Sequence, residues 1–148
     1  MEGKEPSASL RDLRPSAVFP FPGNVVAVGV DLADVGRVRQ ALERFGERFV
    51  RRILSDREAE YCLSRPDPAP HVAARFAAKE AVIKCLGRAV DLREIEVVRA
   101  LSGSPSITLS GRAKERAGDC RILISLTHLD SLACAFAVLV TPGEDSTA

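Results

Sequence analysis

The chain has few aromatic residues and no long apolar run. Among its 148 residues there is no tryptophan and one tyrosine, so platforms for stacking nucleic-acid bases are not expected. The formal net charge of +1 argues against a dedicated nucleic-acid binder, because such domains are usually clearly basic. No apolar segment is long enough to span a bilayer, and no basic start followed by an apolar stretch opens the chain. We therefore expect no nucleic-acid partner, no membrane insertion and no secretory signal.

The cysteines lack the spacing of a metal site or a redox pair. Cys62, Cys85, Cys120 and Cys134 are spread along the chain, and none belongs to a C-x-x-C pair. We interpret them as small buried side chains with reduced thiols. Reduced cysteines are typical of cytosolic proteins, so a cytoplasmic location is predicted.

The amino-acid composition and the positions of proline and glycine predict one domain, residues 24–141, flanked by two short segments. Residues 1–23 are rich in proline and show little periodicity, so they form an N-terminal extension that is either flexible or docked on the surface. If it is docked, Phe19 and Phe21 are its expected contacts. Residues 142–148 form a C-terminal tail. The hydrophobic fraction of 46% is enough for a core without disulfides or a structural metal.

Alternation and turn signals predict strands around one long helix. A strand over residues 25–31 alternates valine with small residues and ends at Asp31, so another element can approach its small-residue face closely. The longest helix covers residues 71–86 and stops at Gly87, with His71 expected on the surface. The strand over residues 132–140 is apolar on both faces, which predicts burial on both sides, in the core or at a subunit interface. Other predicted elements are a helix with Leu32, Val35, Val38, Leu42 and Phe45 on one apolar stripe, a helix opened by a Ser55–Glu58 capping box, strands over 93–99, 106–109 and 121–127, and a helix over 111–117.

Several charged or polar residues stand where an apolar or structural residue is usual. Asp31 ends an apolar strand, where a carboxylate is either a helix N-cap or a metal ligand. Lys79 falls within the apolar stripe of the long helix, and Glu80 and Lys84 lie along its edge; the structural alternative is a snorkelling lysine and an exposed i,i+4 pair. His128 follows a strand at a turn, either as a surface residue or as a ligand contact. Together these residues favour Mg²⁺ and a phosphate-bearing substrate, although the chain has no glycine-rich phosphate loop.

Five segments resemble the holo-acyl-carrier-protein synthases, the small AcpS-type phosphopantetheinyl transferases. They are VAVGVDLADVGRV (26–38), AARFAAKEAVIKCLG (73–87), REIEV (93–97), GSPSITLSG (103–111) and ISLTH (124–128). The resemblance extends in order over about residues 25–140, and RFAAKEA is its most specific stretch. It implies an α+β fold, with a mainly antiparallel sheet packed with one long helix and shorter helices. The implied activity is magnesium-dependent transfer of 4'-phosphopantetheine from coenzyme A to a serine of an acyl carrier protein, releasing 3',5'-ADP.

The resemblance also implies roles for individual residues. Asp31 and Glu80 match two magnesium ligands, and Lys84 matches a lysine that faces the coenzyme A phosphates; these three form the implied catalytic set. The positions implied to lie beside coenzyme A are Arg75, Lys79, Lys84, Gly87 and His128. The general base is left open between a metal-bound water or hydroxide and Glu80.

An acidic acyl carrier protein is the implied partner, and the first helix is the implied docking surface. Arg37 matches a basic position of the family there, and Arg39 and Arg44 lie outside the apolar stripe of that helix. A merely solvated helix face is the alternative. The resemblance further implies a homotrimer with each active site in a cleft between neighbouring subunits.

The chain departs from the family pattern in the loop after the long helix. Many members have Gly-Thr-Gly beside the nucleotide, whereas this chain has Gly87-Arg88-Ala89. This departure leaves open a non-catalytic subunit that binds coenzyme A or the carrier protein. The Asp, Glu, Lys and His set by itself also fits a magnesium phosphohydrolase. The sequence does not indicate whether the carrier protein belongs to fatty-acid synthesis or to a specialised pathway.

Overall fold

The computed structural model describes residues 23–143, which form an α+β architecture. Most of the predicted N-terminal extension, including Phe19 and Phe21, and most of the predicted tail therefore lie outside the described residues. The strands are β1 (Val25–Asp34), β2 (Ile95–Arg99), β3 (Pro105–Leu109), β4 (Arg121–His128) and β5 (Leu132–Val140). The helices are α1 (Val35–Phe45), α2 (Glu47–Ile53), α3 (Asp56–Leu63), α4 (Pro68–Leu86) and α5 (Gly111–Ala117), with a 3-10 turn at Leu92–Glu94.

The strands form two antiparallel sheets rather than one. A three-stranded sheet has the order β1-β5-β4, and β2 pairs with β3 in a separate hairpin. Because β5 is central, β1 and β4 are the two edge strands of the larger sheet. The register places Asp31 opposite Ala135 on one side of β5, and His128 opposite Ala133 on the other. This arrangement decides where the candidate site residues lie.

Helix α4 packs against β1 and β5 and carries much of the core. Small side chains allow the helix and the sheet to come close together. A Cβ built on Gly29 would lie 2.0 Å from the carbonyl oxygen of Ala81, so only glycine fits there. The predicted close approach to the small-residue face of the first strand is confirmed. The contact lies two residues before Asp31 and sets the distance between that strand and α4.

Strand β1 continues three residues beyond its predicted end. Asp34, not Asp31, caps α1: its Oδ1 accepts a hydrogen bond from the Arg37 backbone N–H at 2.9 Å. The N-cap interpretation of Asp31 is therefore wrong. The predicted apolar stripe is also wrong at its ends, because Leu32 lies in β1 and is 60% exposed, and Phe45 is 49% exposed. The buried residues of α1 are Val35 and Val38.

Local signals placed the other helices well, with one omission. The Ser55–Glu58 capping box is present at the start of α3. Helix α4 begins at Pro68, earlier than predicted, because Asp67 caps it, and it ends at Gly87 in the left-handed conformation with φ 72°. Helix α2 was not predicted; it starts after Gly46 without a side-chain cap.

The two faces of β5 differ in exposure within one copy of the chain. Its inner face is buried against α4 through alternate residues from Ala133 to Leu139. On the opposite side, Phe136 is 46% exposed and pairs with the exposed Val30 of β1. We call this side the outer sheet face; its residues are Val28, Val30, Leu32, Phe136 and Val138. The prediction of burial on both sides therefore holds for only one face of an isolated copy.

The described cysteines carry no disulfide. Cys62 and Cys85 are buried, whereas Cys120 and Cys134 are partly buried, and all are free thiols. Burial raises the pKa of the Cys62 thiol to about 11, which keeps it protonated and unreactive near neutral pH. Within residues 23–143, no helix has the length and apolarity needed to cross a membrane.

Candidate active site

Asp31, Glu80 and Lys84 form one cluster between β1 and α4, which we call the carboxylate cluster. The i,i+4 spacing puts Glu80 and Lys84 on one side of α4. The Lys84 Nζ donates to Asp31 Oδ1 at 2.9 Å and to the Val30 carbonyl oxygen at 2.7 Å. The fold therefore brings together all three residues of the predicted catalytic set.

The electrostatics of the carboxylate cluster favour an added cation. Partial burial raises the pKa of Glu80, and the nearby negative charge of Asp31 raises it further, while Lys84 opposes both effects. The Asp31 side chain is 19% exposed, so the two carboxylates interact in partly dehydrated surroundings. One lysine does not balance two carboxylates in such surroundings.

The donor set fits magnesium rather than a metal with a full protein cage. Across residues 23–143, no group of three or more His, Cys, Asp or Glu side chains is arranged to hold a metal. Mg²⁺ is commonly bound by one or two carboxylates, with water and substrate phosphate oxygens completing its octahedron. Asp31 and Glu80 supply that number of carboxylates and would hold the ion.

A second cluster lines a cavity of about 440 Å³, which we call the histidine cavity. Arg75 is only 6% exposed there, and its guanidinium carbon lies 4.3 Å from the centroid of the Tyr61 ring. The Arg75 Nε is buried and has no hydrogen-bond partner within the described part of the chain. Native proteins rarely leave a buried donor unpaired, so this guanidinium indicates a site for an anionic ligand. The other polar side chains lining the cavity include Tyr61, His71, Arg99 and His128.

Both histidines of the chain meet in this cavity. The rings of His71 and His128 are 5.5 Å apart at an interplanar angle of 68°, and the His71 ring is 5.8 Å from Tyr61. The expectation that His71 is a surface residue is wrong, since it is partly buried and lines the cavity. Its i,i+4 spacing from Arg75 was the available signal, because it places both residues on one face of α4.

The two clusters lie apart within a single copy. Asp31 is on β1 and His128 is on β4, the opposite edge strands of the sheet. Neither Asp31 nor Glu80 nor Lys84 lines the histidine cavity. One chain therefore holds Asp31, Glu80 and Lys84 apart from Arg75 and His128.

Lys79 differs from the prediction of a ligand-facing or snorkelling lysine. It is fully buried, and its Nζ donates to Glu58 Oε2 at 2.6 Å, to the Ile53 carbonyl oxygen at 2.6 Å and to the Leu92 carbonyl oxygen at 3.1 Å. Burial lowers the pKa of Lys79, and the Glu58 carboxylate opposes this effect. The side chain ties α4 to neighbouring elements and presents no surface to a ligand.

Gly87 ends α4, and the residue after it carries the departure from the family pattern. A Cβ on Gly87 would meet no atom within 4 Å, so its positive φ, rather than crowding, favours glycine. The structure thus gives Gly87 a helix-ending role, and its predicted contact with coenzyme A stays a prediction. Arg88 lines an open groove of about 540 Å³ together with Arg112 and Arg116. The groove beside the substituted loop is therefore mainly basic, with Glu115 as its acidic lining residue.

The predicted docking arginines are not equivalent. Arg37 is exposed on α1, and the Arg44 guanidinium lies 5.1 Å from the centroid of the Phe45 ring. Arg39 instead makes two hydrogen bonds to the Asp67 carboxylate, at 2.6 and 3.0 Å, and so links α1 to the start of α4. This pairing leaves Arg37 and Arg44 as the better placed of the three for a partner.

The fold is that of solved holo-acyl-carrier-protein synthases. It is similar to the crystal structure of the holo-ACP synthase from Plasmodium yoelii, with a TM-score of 0.73 and 28% identity over 82% of this chain and 98% of that one. It is also similar to the Bacillus anthracis holo-(acyl-carrier-protein) synthase in complex with CoA (3',5'-ADP), with a TM-score of 0.68 and 28% identity over 79% of this chain and 97% of that one.

Sequence comparison gives the family. The chain is 40% identical over 126 residues to the holo-[acyl-carrier-protein] synthase of Methylorubrum populi, which covers 78% of this chain and 93% of that one. The model of the 4'-phosphopantetheinyl transferase superfamily matches residues 27–137. The chain belongs to this superfamily, and the predicted resemblance and fold class are confirmed.

Proposed function

We propose that this chain transfers the 4'-phosphopantetheine group of coenzyme A to a serine of an acyl carrier protein, releasing 3',5'-ADP. The carboxylate cluster carries the proposal, because its three residues are those that the family motif assigns to the reaction. The relative from Methylorubrum populi, named for this activity, supports it across most of both chains. Coenzyme A is the donor substrate, as the ligand of the Bacillus anthracis relative indicates.

The chemistry is a displacement at the β-phosphorus of coenzyme A. The serine oxygen forms a bond to that phosphorus, the bond from the phosphorus to the 3',5'-ADP oxygen breaks, and the serine proton passes to the general base, which is either a water molecule or Glu80. Such transfers depend on positioning and on neutralising charge more than on covalent help from the protein. A magnesium ion held by Asp31 and Glu80 would neutralise charge on the phosphate oxygens.

The residues of this chain divide the remaining tasks between them. Lys84 stabilises negative charge that develops on the pyrophosphate. Its bonds to Asp31 and to the Val30 carbonyl fix the ammonium before substrate arrives. Arg75 offers an unpartnered, buried Nε–H to a phosphate of the nucleotide, where low solvent exposure strengthens the interaction.

We infer that the working form is a homotrimer with sites shared between copies. The outer sheet face exposes large apolar side chains, including Val30 and Phe136, and an apolar patch of this kind indicates a protein interface. The carboxylate cluster and the histidine cavity lie apart in one copy. This separation supports a cleft to which one copy contributes the carboxylate cluster and its neighbour contributes the histidine cavity. Sedimentation equilibrium should give the mass of three chains, and a fully active monomer at micromolar concentration would contradict this assembly.

The proposed partner is an acidic carrier protein that docks on α1. Arg37 and Arg44 are exposed there, and charges at an interface rim mainly accelerate encounter. We place the reaction in the cytosol, because free cysteines fit a reducing compartment.

Mass spectrometry of an apo carrier protein tests the proposed function. Incubation with coenzyme A and Mg²⁺ should add one phosphopantetheine per carrier, and Asp31→Asn should abolish the addition while the protein stays folded. Retained binding of coenzyme A without any addition would instead select a non-catalytic binding subunit. Release of inorganic phosphate without addition would select a phosphohydrolase.

A further inference from the structure

His71 lines the histidine cavity, yet neither the family motif nor the proposed chemistry gives it a task. It lies one turn before Arg75 on α4, and its backbone carbonyl oxygen lies 3.5 Å from Arg75 Nη1. Its ring stands edge-on between His128 and Tyr61. The imidazole therefore faces the same space as the buried, unpartnered guanidinium of Arg75.

Positive charge surrounds His71 from several elements. Burial lowers the pKa of His71, and His128 on β4, Arg65 before α4 and Arg75 on α4 lower it further, while Asp67 opposes them. The phenol of Tyr61 on α3 and the guanidinium of Arg99 on β2 complete the ionisable groups around the cavity. Without a ligand, His71 is therefore neutral at pH 7.

An anion in the cavity would reverse this balance. A phosphate group would offset the positive charges of Arg75 and Arg65, so these charges would cease to oppose protonation of His71. A protonated imidazole also donates from both ring nitrogens, which adds a donor for a phosphate oxygen.

We propose that His71 binds a phosphate group of the nucleotide in this cavity and takes up a proton from solvent as the ligand enters. The inference rests on the proposed function, because it takes the nucleotide to be coenzyme A or its product. No bond between heavy atoms forms or breaks; one proton moves from solvent to a ring nitrogen. The ribose phosphate and the pyrophosphate share this chemistry, and the experiment below separates them.

Linkage fixes the sign of the pH dependence. If the ligand raises the pKa of His71, binding is strongest at pH values below the pKa of the free protein. Affinity then falls as pH rises through the window between the free and bound values, by up to about tenfold per pH unit. Above the pKa of the complex the affinity becomes constant again.

The histidine count makes the test direct. The chain contains two histidines, so the spectra of His71→Gln and His128→Gln assign each ring resonance in proton–carbon NMR. In the wild-type chain, saturating 3',5'-ADP should move the titration midpoint of His71 upward by about half a pH unit or more. Calorimetry in two buffers of different ionisation enthalpy should show net proton uptake on binding. His71→Phe keeps a ring beside Tyr61 and His128, and it should lose the His71 part of that uptake and flatten the pH dependence of Kd.

A comparison with dephospho-coenzyme A identifies the phosphate. The proton uptake that depends on His71 is the difference between the wild-type chain and His71→Phe. If this difference is seen with coenzyme A but not with dephospho-coenzyme A, it assigns His71 to the 3'-phosphate, and an equal difference with both ligands assigns it to the pyrophosphate; either result supports the proposal. A His71 midpoint that does not move, or uptake unchanged in His71→Phe, overturns it. If the chain binds neither coenzyme A nor 3',5'-ADP, the proposed function fails first, so the two failures are distinguishable.

Discussion

Substitutions in the buried pair of Lys79 and Glu58 should be among the most destabilising in the described fold. Lys79→Met removes an ammonium that donates to Ile53, Glu58 and Leu92 while nearly preserving side-chain volume. The Glu58 carboxylate, with a side-chain exposure of 1%, would remain in the core without a counter-charge. Its remaining donors would be the backbone N–H groups of Ser55 at 2.8 Å and Val97 at 2.9 Å.

The expected loss of stability follows from removing one partner of a buried ion pair. An uncompensated buried charge costs about 3–5 kcal/mol, which at this domain size lowers Tm by on the order of 10 °C or more. Denaturant unfolding of Lys79→Met should therefore show a lower midpoint. The double variant Lys79→Met with Glu58→Gln removes the stranded charge and should be more stable than Lys79→Met alone.

The two single variants and the double variant complete a thermodynamic cycle. We expect the changes in unfolding free energy of the two single variants to differ in sum from that of the double variant by about 1–3 kcal/mol, because the residues are in direct contact. A cost below about 1 kcal/mol for Lys79→Met, or additive effects, would show that the pair does not hold α4 in place.

Gly29→Ala should destabilise the protein by about 1–3 kcal/mol in denaturant unfolding, because its Cβ would clash with the Ala81 carbonyl; a cost near zero would mean that α4 can move away. Glu80→Gln should lower the transfer rate by about a hundredfold or more in steady-state kinetics at saturating Mg²⁺, and a loss below about tenfold would remove Glu80 from the site. Arg37→Glu should raise the KM for the carrier protein and barely change the KM for coenzyme A; an unchanged carrier KM at low salt would make α1 only a solvated face. Cys62, whose pKa is raised to about 11, should react at least about tenfold more slowly with a thiol reagent at pH 8 than it does in the unfolded chain, and equal rates would contradict its burial.

Elements governed by local signals were predictable from the sequence. The left-handed Gly87 ends α4, and the capping box between Ser55 and Glu58 starts α3, because each signal acts within one helical turn. The carboxylate cluster was also predictable, since Asp31 and the i,i+4 pair in α4 belong to specific family motifs. Helix α2 has no such signal at its start, and it was missed.

The features that sequence reasoning missed depend on long-range contacts. The sequence shows Lys79 only as a lysine in an apolar stripe, because its counter-ion Glu58 lies on α3, 21 residues earlier in the chain. The sequence predicts His71 as a surface residue near a helix start, but residues of α3, β2 and β4 form a cavity around it. Periodicity within one element cannot supply partners from other elements.

Subunit complementation tests the central claim, transfer at a site built from two copies, most directly. Asp31→Ala damages only the carboxylate cluster and Arg75→Ala only the histidine cavity, so each variant alone should fail to modify the apo carrier protein. After the two are mixed and their subunits exchanged, random trimers would contain about one intact site in four, and carrier modification should recover to about a quarter of the wild-type rate. No recovery after verified subunit exchange would contradict a shared site, and full activity of either variant alone would contradict the assignment of its cluster to the reaction.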